Sequence, residues 1–295
     1  MLTLFAALVL GCSPSSGEPS PPGSATQQPA SQYAKVAAQN AGTFAPQREA
    51  DVLELNVHAR YPHDPTAFTQ GLVWNAGRLF ESTGLRGRST LREVELETGE
   101  VLRRVENDDA LFAEGLALVD DELIQLSWQE EVALRWSRDE FTPLGQFSYE
   151  GEGWGLCFDG EALVMSDGSD QLFFRDPQTF VVQRAVAVTY NGQPLPLLNE
   201  LECVEGKVFA NVWQTDTIVR IDPETGEVDA AIDAAGLLTE EERIQADVLN
   251  GIAYMPETGH FLITGKLWPV MYDVTFDEPC LPGIGTNDVD AGIEP

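Results

Sequence analysis

The chain has 295 residues, of which 48 are Asp or Glu and 17 are Lys or Arg, so its formal net charge is -31. Such a charge repels phosphate backbones and anionic lipid headgroups, and we therefore exclude nucleic acid as a partner. The length fits one large all-β domain with tails. The acidic excess could keep the protein hydrated in a salty medium, and we interpret it as salt adaptation.

Residues 1–12 predict an export signal, because their apolar run is too short to span a bilayer. The ending Val9-Leu10-Gly11-Cys12 resembles a bacterial lipobox, in which Cys12 is lipidated after cleavage. No Lys or Arg precedes the run, so plain secretion stays open, and a cytoplasmic location is the remaining alternative. We expect an exported, lipid-anchored bacterial envelope protein, periplasmic or at the outer membrane, otherwise secreted, with membrane contact only through that anchor.

Residues 13–46 are rich in Ser, Pro, Gly, Ala and Gln and predict a flexible tether that cannot bury a core. We expect the folded domain at residues 47–276 and a loose C-terminal tail at 277–295. The domain begins with an alternating, strand-like segment at residues 52–58. Residues 237–244 favour a short helix, with Thr239 as its N-cap.

Between these segments the chain repeats one pattern five times. In each repeat, a Gly-Leu-like dipeptide, here called the step, begins an apolar strand. The residue just before the step is here called the special residue. The special residues are Gln70, Glu114, Trp154, Asn199 and Asn250. The steps lie 44, 40, 45 and 51 residues apart, which is typical of four-stranded propeller blades. A second strand ends 14 residues after each special residue, at Gly84, Trp128, Gly168, Trp213 and Thr264.

The fifth repeat has only three predicted strands, near residues 252–254, 260–264 and 270–274. The unpaired segment at residues 52–58 could supply the fourth strand and remove an open sheet edge. We therefore predict an all-β fold, a five-bladed β-propeller closed by an N-terminal strand that pairs with the last blade.

Each hairpin returns to the end where it began, so the special residues and the second-strand ends should face one mouth. A tryptophan is more often a packing residue, but repeated placement at this end favours a pocket. The pocket would have aromatic walls and a few convergent polar groups. The predicted members are Phe68, Trp128, Trp154, Trp213, Gln70, Glu114, Asn199 and Lys266.

Glu114 is the carboxylate among the special residues. Aromatic neighbours would raise its pKa by desolvation, whereas Lys266, one of three lysines in the chain, would lower it. Most glutamates of so acidic a chain are exposed turn residues, but the position of Glu114 in the ring favours a proton shuttle.

After Cys12 three cysteines remain, so at most one pair can form. Cys157 and Cys203 lie in strand-like runs, and we interpret them as small buried apolar residues rather than redox or metal ligands. The third is Cys280. No CxxC motif occurs and the three histidines are scattered, so we expect no zinc site.

Ten motifs together resemble one family. They stand at residues 68–72, 81–84, 112–115, 126–128, 152–156, 166–169, 199–202, 211–213, 250–253 and 264–269. Over about residues 61–275 the chain resembles the plant and bacterial glutaminyl-peptide cyclotransferases. This resemblance implies a five-bladed propeller, unrelated to the zinc-dependent animal enzyme. The implied activity converts an N-terminal glutamine to pyroglutamate and releases ammonia.

The resemblance also implies roles for the mouth residues. Glu114 would be the general acid and base, with Lys266 and Asn199 as further catalytic residues. The implied substrate-binding residues are Phe68, Gln70, Trp128, Trp154 and Trp213. Catalysis would need no cofactor, although the channel could hold a structural cation. The implied partners are peptides or proteins with N-terminal Gln, and we expect a monomer.

Two alternatives belong to other functional classes. A metal-dependent propeller lactonase also uses an axial acid with amides, but it needs several inner oxygen ligands, and Trp154 occupies one such position. A propeller that binds peptide ends without catalysis is the second alternative. No GxSxG motif supports a serine hydrolase.

Overall fold

The computed structural model describes residues 49–278, and these form an all-β domain, as predicted. The predicted export signal, Cys12, residues 13–46 of the tether and Cys280 lie outside the described residues. Within residues 49–278 no helix is long and apolar enough to cross a membrane.

Strand β1 (Asp51–Pro62) is followed by three four-stranded antiparallel sheets. The first sheet contains β2 (Thr69–Asn75), β3 (Arg78–Thr83), β4 (Thr90–Val94) and β5 (Val101–Glu106). The second contains β6 (Ala113–Val119), β7 (Glu122–Ser127), β8 (Val132–Ser137) and β9 (Pro143–Ser148). The third contains β10 (Leu156–Phe158), β11 (Leu163–Ser166), β12 (Gln171–Arg175) and β13 (Val182–Ala187).

A small hairpin and an eight-stranded sheet complete the domain. The hairpin consists of β14 (Thr189–Tyr190) and β15 (Gln193–Pro194). The large sheet contains β1 and two consecutive runs of strands. The first run is β16 (Leu198–Val204), β17 (Lys207–Val212), β18 (Thr217–Ile221) and β19 (Val228–Asp233). The second run is β20 (Leu249–Met255), β21 (His260–Gly265) and β22 (Val270–Asp277). The strand order in this sheet is β16-β17-β18-β19-β1-β22-β21-β20.

Strand β1 joins the two halves of the large sheet. It pairs antiparallel with β22 from Glu54 to Pro62, so the predicted pairing with the last repeat is confirmed. Its first three residues, Asp51 to Leu53, also pair in parallel with β19. The number of sheets therefore differs from the five blades predicted, because the first residues of β1 pair with β19 and so join the strands of the last two repeats in one sheet.

The first strands of the repeats form the centre of the domain. β2, β6, β10, β16 and β20 pack in cyclic order, each against the next, and β20 packs against β2. A Cβ atom at Gly71 would lie 2.6 Å from the Leu116 nitrogen, and one at Gly155 would lie 2.0 Å from the Asn199 oxygen. The repeated glycines thus allow neighbouring backbones to touch.

The fourth repeat has Glu200 in the place of this glycine. Its carboxylate is fully buried and accepts hydrogen bonds from the backbone N–H of Leu72 (3.2 Å) and of Ile252 (2.8 Å). These donors belong to β2 and β20, so one side chain links three of the central strands. Glu200 therefore holds the central strands of the first, fourth and fifth repeats together.

Apolar side chains fill the spaces between neighbouring sheets. Phe80 and Leu91 of the first sheet pack with Leu116 and Leu123 of the second. Each such fully buried side chain contributes roughly 1.5–3 kcal/mol relative to an exposed one. This packing fixes the orientation of the sheets, and hence the spacing of the residues at the mouth.

One local prediction needs correction. The helix predicted at residues 237–244 is limited to a 3₁₀ turn, Glu242–Ile244. Thr239 and Glu242 do accept each other's backbone N–H, at 2.8 and 3.3 Å, but this capping box encloses a single turn. Asp277, where the predicted tail begins, is the last residue of β22, and residues 279–295 of that tail lie outside the described residues.

The two strand cysteines form a disulfide. Cys157 in β10 and Cys203 in β16 are bonded, with their Cα atoms 5.5 Å apart. Cys157 is buried, as interpreted, and Cys203 is partly buried, while their pairing had been left open by the sequence. The central strands of the third and fourth repeats are neighbours, which brings together two cysteines that lie 46 residues apart in the sequence.

Candidate active site

All eight residues predicted for the mouth line one cavity of about 280 Å³. They are Phe68, Gln70, Glu114, Trp128, Trp154, Asn199, Trp213 and Lys266. Phe112 and Asp247 line it as well. The sequence pattern therefore brings every predicted side chain to one place, and it misses two.

The bulges of the central strands aim the polar side chains at this cavity. The strand pairing shifts register between Thr69 and Gly71, and an equivalent shift occurs in the second, fourth and fifth repeats. A bulge re-aims the side chain that it contains. The residues at these shifts are Gln70, Glu114, Asn199 and Asn250.

Glu114 lies buried at the base of the cavity. Gln70 donates a hydrogen bond from Nε2 to Glu114 Oε1 at 3.1 Å, and Asn250 Nδ2 donates to Gln70 Oε1 at 3.3 Å. This chain of amides fixes the orientation of Gln70. Asn250, the fifth special residue, thus reaches the site through Gln70 and does not line the cavity.

Burial raises the pKa of Glu114 well above its ordinary value. The nearby Lys266 cation opposes this shift, whereas the Glu152 and Glu130 carboxylates add to it. Burial lowers the pKa of Lys266, and Glu114 and Asp247 oppose that change. The two groups are therefore shifted toward each other, as expected for an acid and a cation that share a poorly hydrated cavity.

A longer turn brings Lys266 to the mouth. The Leu249–Gly265 pair of the fifth repeat corresponds to Ala113–Ser127 in the second, so Lys266 takes the position of Trp128. The sequence count placed Thr264 at this position. The β20–β21 turn contains residues 256–259, two more than the turn at 120–121, and this difference moves the register by two.

The segment that carries Lys266 is anchored beside Phe68. The Lys266 Nζ atom lies 5.0 Å from the centre of the Phe68 ring. Leu267 donates its backbone N–H to the Ala67 oxygen at 2.7 Å. Buried His63 bonds the Trp268 oxygen through Nδ1 at 2.7 Å. These contacts hold the lysine and one aromatic wall together.

Aromatic rings form two groups around the cavity. Phe68, Phe112 and Trp128 meet edge to face, with ring centres 6.0 and 5.6 Å apart. Trp154 and Trp213 meet in the same way at 5.4 Å. The walls exclude water from one side of the polar groups, which strengthens electrostatic interactions within the cavity.

Asn199 offers an unused acceptor. Its Oδ1 atom is buried and has no hydrogen-bond partner among residues 49–278. A buried polar atom without a partner is costly, and a ligand donor could satisfy it.

The two missed lining residues carried different signals. Phe112 stands two residues before Glu114, as Phe68 stands two before Gln70, so the repeat itself could have revealed it. Asp247 bonds the Lys266 backbone through its N–H at 2.8 Å, in the repeat with the longer turn. Its position depends on that turn, and no repeat pattern marks it.

The described residues 49–278 contain no group of three or more His, Cys, Asp or Glu that could hold a metal ion. The cavity instead combines a buried carboxyl of raised pKa, a lysine, two amides and aromatic walls. Such a set can bind a small, partly apolar group and transfer protons within it.

Comparison with known proteins agrees with this geometry. The family model described as glutamine cyclotransferase matches residues 29–276. A glutaminyl-peptide cyclotransferase of Arabidopsis thaliana is 42% identical over 228 residues, covering 75% of this chain and 71% of the relative. The crystal structure of Myxococcus xanthus glutaminyl cyclase is 42% identical, with a TM-score of 0.70, covering 78% of this chain and 99% of that one.

Proposed function

The chain belongs to the glutamine cyclotransferase family, and from that premise we propose that Glu114 is the general acid and base of its reaction. The enzyme is a glutaminyl-peptide cyclotransferase, which converts the N-terminal glutamine of a peptide or protein to pyroglutamate and releases ammonia. The observation that carries the role of Glu114 is its burial among all the other predicted site residues in one cavity.

The reaction needs a base before it needs an acid. The substrate α-amine has a pKa of about 8, so much of it is protonated at neutral pH and cannot attack. Glu114 accepts a proton from this ammonium, and the free amine attacks the γ-carbonyl carbon. The raised pKa of Glu114 favours the transfer, because it lies closer to that of the amine.

The departing nitrogen then needs a proton. Glu114 donates one, the C–N bond breaks, and ammonia leaves. The extra proton on the new ring nitrogen passes to the Glu114 carboxylate and on to solvent, which restores the starting state. Because the reaction is intramolecular, holding the glutamine side chain over its own amine supplies much of the acceleration.

The remaining polar residues divide into three roles under this proposal. Gln70 holds Glu114, since its amide is engaged by Glu114 and Asn250. Asn199 accepts from the substrate through its unpartnered Oδ1 atom. Lys266 stabilises the oxyanion that forms on the γ-carbonyl oxygen. Phe68, Trp128, Trp154 and Trp213 enclose the glutamine side chain.

The variant Glu114→Gln tests the central role. The amide keeps an acceptor for the Gln70 N–H but cannot accept the substrate proton, so turnover should fall by about 10² to 10⁴. Ammonia release from a peptide with N-terminal Gln measures it. Glu240→Gln, which removes an exposed carboxylate, should retain full activity. Near-normal turnover of Glu114→Gln would remove Glu114 from the mechanism.

We also propose that the sheets are the five blades of a closed propeller. The cyclic packing of the five central strands supports this count, and so does the pairing of β1 with β22. The eight-stranded sheet then represents two blades joined by the short pairing of β1 with β19. A crystal structure would test the blade count directly.

We propose that the enzyme works outside the cytoplasm as a monomer, held by a lipid on Cys12, with residues 47–276 as its catalytic domain. The Cys157–Cys203 bond supports export, since disulfides persist in oxidising compartments. We propose further that catalysis uses no cofactor, because the proton transfers above need only protein groups. Mass spectrometry of the mature N-terminus would test the lipid anchor.

A further inference from the structure

Glu152 lies just before β10, and one of its carboxylate oxygens accepts hydrogen bonds from two tryptophans of the cavity wall. The indole N–H of Trp128, from the end of β7, donates to Glu152 Oε2 at 2.8 Å. The indole N–H of Trp154 donates to the same atom at 3.0 Å. Gln129 Nε2 donates to the other oxygen, Oε1, at 2.9 Å. The two tryptophans flank strands of different sheets, and Glu152 adds a side-chain link to the backbone hydrogen bond that the Gly153 N–H donates to the Trp128 oxygen at 2.9 Å.

The chemistry of these contacts favours a positioning role. An indole N–H can only donate, and hydrogen bonds to an ionised acceptor are shorter and stronger than neutral ones. An indole held by such a bond is restrained against rotation about its side-chain torsions. With three donors already bound, the carboxylate has little capacity left for a substrate group.

Glu152 also contributes charge at the reacting carboxyl. Lys266 after β21 and Asp247 before β20 line the same cavity as Glu114. The other charged and titratable groups that act on Glu114 are Glu130 after β7, Tyr149 after β9 and Glu152, which is bonded to two tryptophans of the cavity wall. After burial, the negative charges of Glu152 and Glu130 further raise the pKa of Glu114, against the pull of Lys266. Glu130 is paired with Arg86, whereas no Lys or Arg forms an ion pair with Glu152 among residues 49–278.

We propose that Glu152 is a positioning residue with two separable actions: its Oε2 atom fixes the Trp128 and Trp154 rings, and its charge favours the protonated form of Glu114. The second action rests on the role proposed for Glu114, and the first does not.

Two substitutions separate these actions. In Glu152→Gln the amide oxygen can still accept both indole N–H groups, while the charge is lost. In Glu152→Met the side chain keeps its length, which preserves packing, but both the acceptor and the charge are lost. Glu130→Gln is the charge control, because it removes a second charge that acts on Glu114 and accepts no indole N–H. Its amide oxygen can still accept the Phe112 backbone N–H and bond Arg86, which lies over the Trp128 ring.

The measurements are kcat and KM for a peptide with N-terminal Gln across pH, together with near-ultraviolet circular dichroism in the tryptophan bands. For both Glu152→Gln and Glu130→Gln, the acid limb of kcat/KM should move to lower pH by about half a unit or more. Their KM and tryptophan bands should stay close to those of the parent. For Glu152→Met we expect the same pH shift, a rise in KM of about tenfold and weaker tryptophan bands, because the rings lose their orientation.

A different result would contradict each of the two proposed actions of Glu152. Unchanged tryptophan bands and KM in Glu152→Met overturn the positioning of the rings, whatever Glu114 does. An unmoved acid limb in Glu152→Gln, while Glu114→Gln is inactive, overturns the charge effect and leaves the role of Glu114 intact. If Glu114→Gln keeps its activity, the proposed function fails first, and the tryptophan bands of Glu152→Met still decide the positioning.

Discussion

At the residue scale, the carboxyl groups of β16 show how burial sets the chemistry of individual side chains. Glu200 and Glu202 alternate along the strand and share one face, and each accepts a backbone N–H from β20. Burial raises the pKa of both, and that of Glu202 rises to about 8. The fold therefore keeps Glu202 mostly protonated at neutral pH.

This burial predicts that stability falls as pH rises from about 4.5 to 8, because the folded protein retains a proton on Glu202 that the unfolded chain loses. The loss from Glu202 should be at most about 4 kcal/mol. In Glu202→Gln the slope should be shallower but not zero, since Glu200 acts in the same direction. Urea denaturation at pH 5 and pH 8.5 measures this, with exposed Glu240→Gln as control. Identical slopes in Glu202→Gln and the parent would contradict the prediction.

The residues of the site were largely predictable from the sequence. The period placed Gln70, Glu114 and Asn199 at equivalent positions, and the motifs placed the tryptophans. Glu152 was not singled out, although it lies within a recognised motif, because its role depends on an indole from another sheet. Contacts between sheets leave no periodic signal in the chain.

At the element scale, the Cys157–Cys203 bond ties the central strands of two neighbouring repeats. The sequence showed that one pair could form but not which strands are neighbours. Breaking the bond removes a cross-link that restricts the unfolded chain, so the unfolded state gains conformational entropy and the free energy of unfolding should fall by about 2–4 kcal/mol.

Denaturation of the parent with and without reductant tests this expectation. The double variant Cys157→Ser with Cys203→Ser is the control, since it should match the reduced parent and should not respond to reductant. A parent whose unfolding midpoint is unaffected by complete reduction would show that packing alone holds these strands.

The sheet count was the part of the fold that the sequence could not supply. The pairing of the N-terminal segment with the last repeat was predicted correctly. The last repeat had only three predicted strands, which left an open sheet edge, and residues 52–58 were a strand without another partner. Val52 and Leu53 belonged to the predicted strand, but nothing in their sequence indicates a second partner, and these residues with Asp51 also pair with β19. Lys266 was predicted at the mouth, whereas the 14-residue count ended at Thr264, because the longer β20–β21 turn moves the register by two.

At the scale of the whole molecule, the net charge of -31 makes folding sensitive to ionic strength. Self-repulsion destabilises the compact state, and the Debye length shrinks from about 10 Å at 0.1 M salt to about 3 Å at 1 M.

The thermal unfolding midpoint should therefore rise by several degrees between 0.1 and 1 M NaCl. Scanning calorimetry measures it, and sucrose at equal osmolality controls for effects of water activity alone. A midpoint that falls or stays constant in salt would mean that local ion pairs outweigh the overall repulsion, and the interpretation as salt adaptation would fail.

The buried carboxyl of Glu200 makes the repeats unequal at the centre of the domain. It accepts the backbone N–H of Leu72 and of Ile252 where the central strands already touch, so the fourth repeat is bonded directly to the first and the fifth. The repeats are therefore not interchangeable, because a glycine in place of Glu200 would leave both N–H groups without this acceptor.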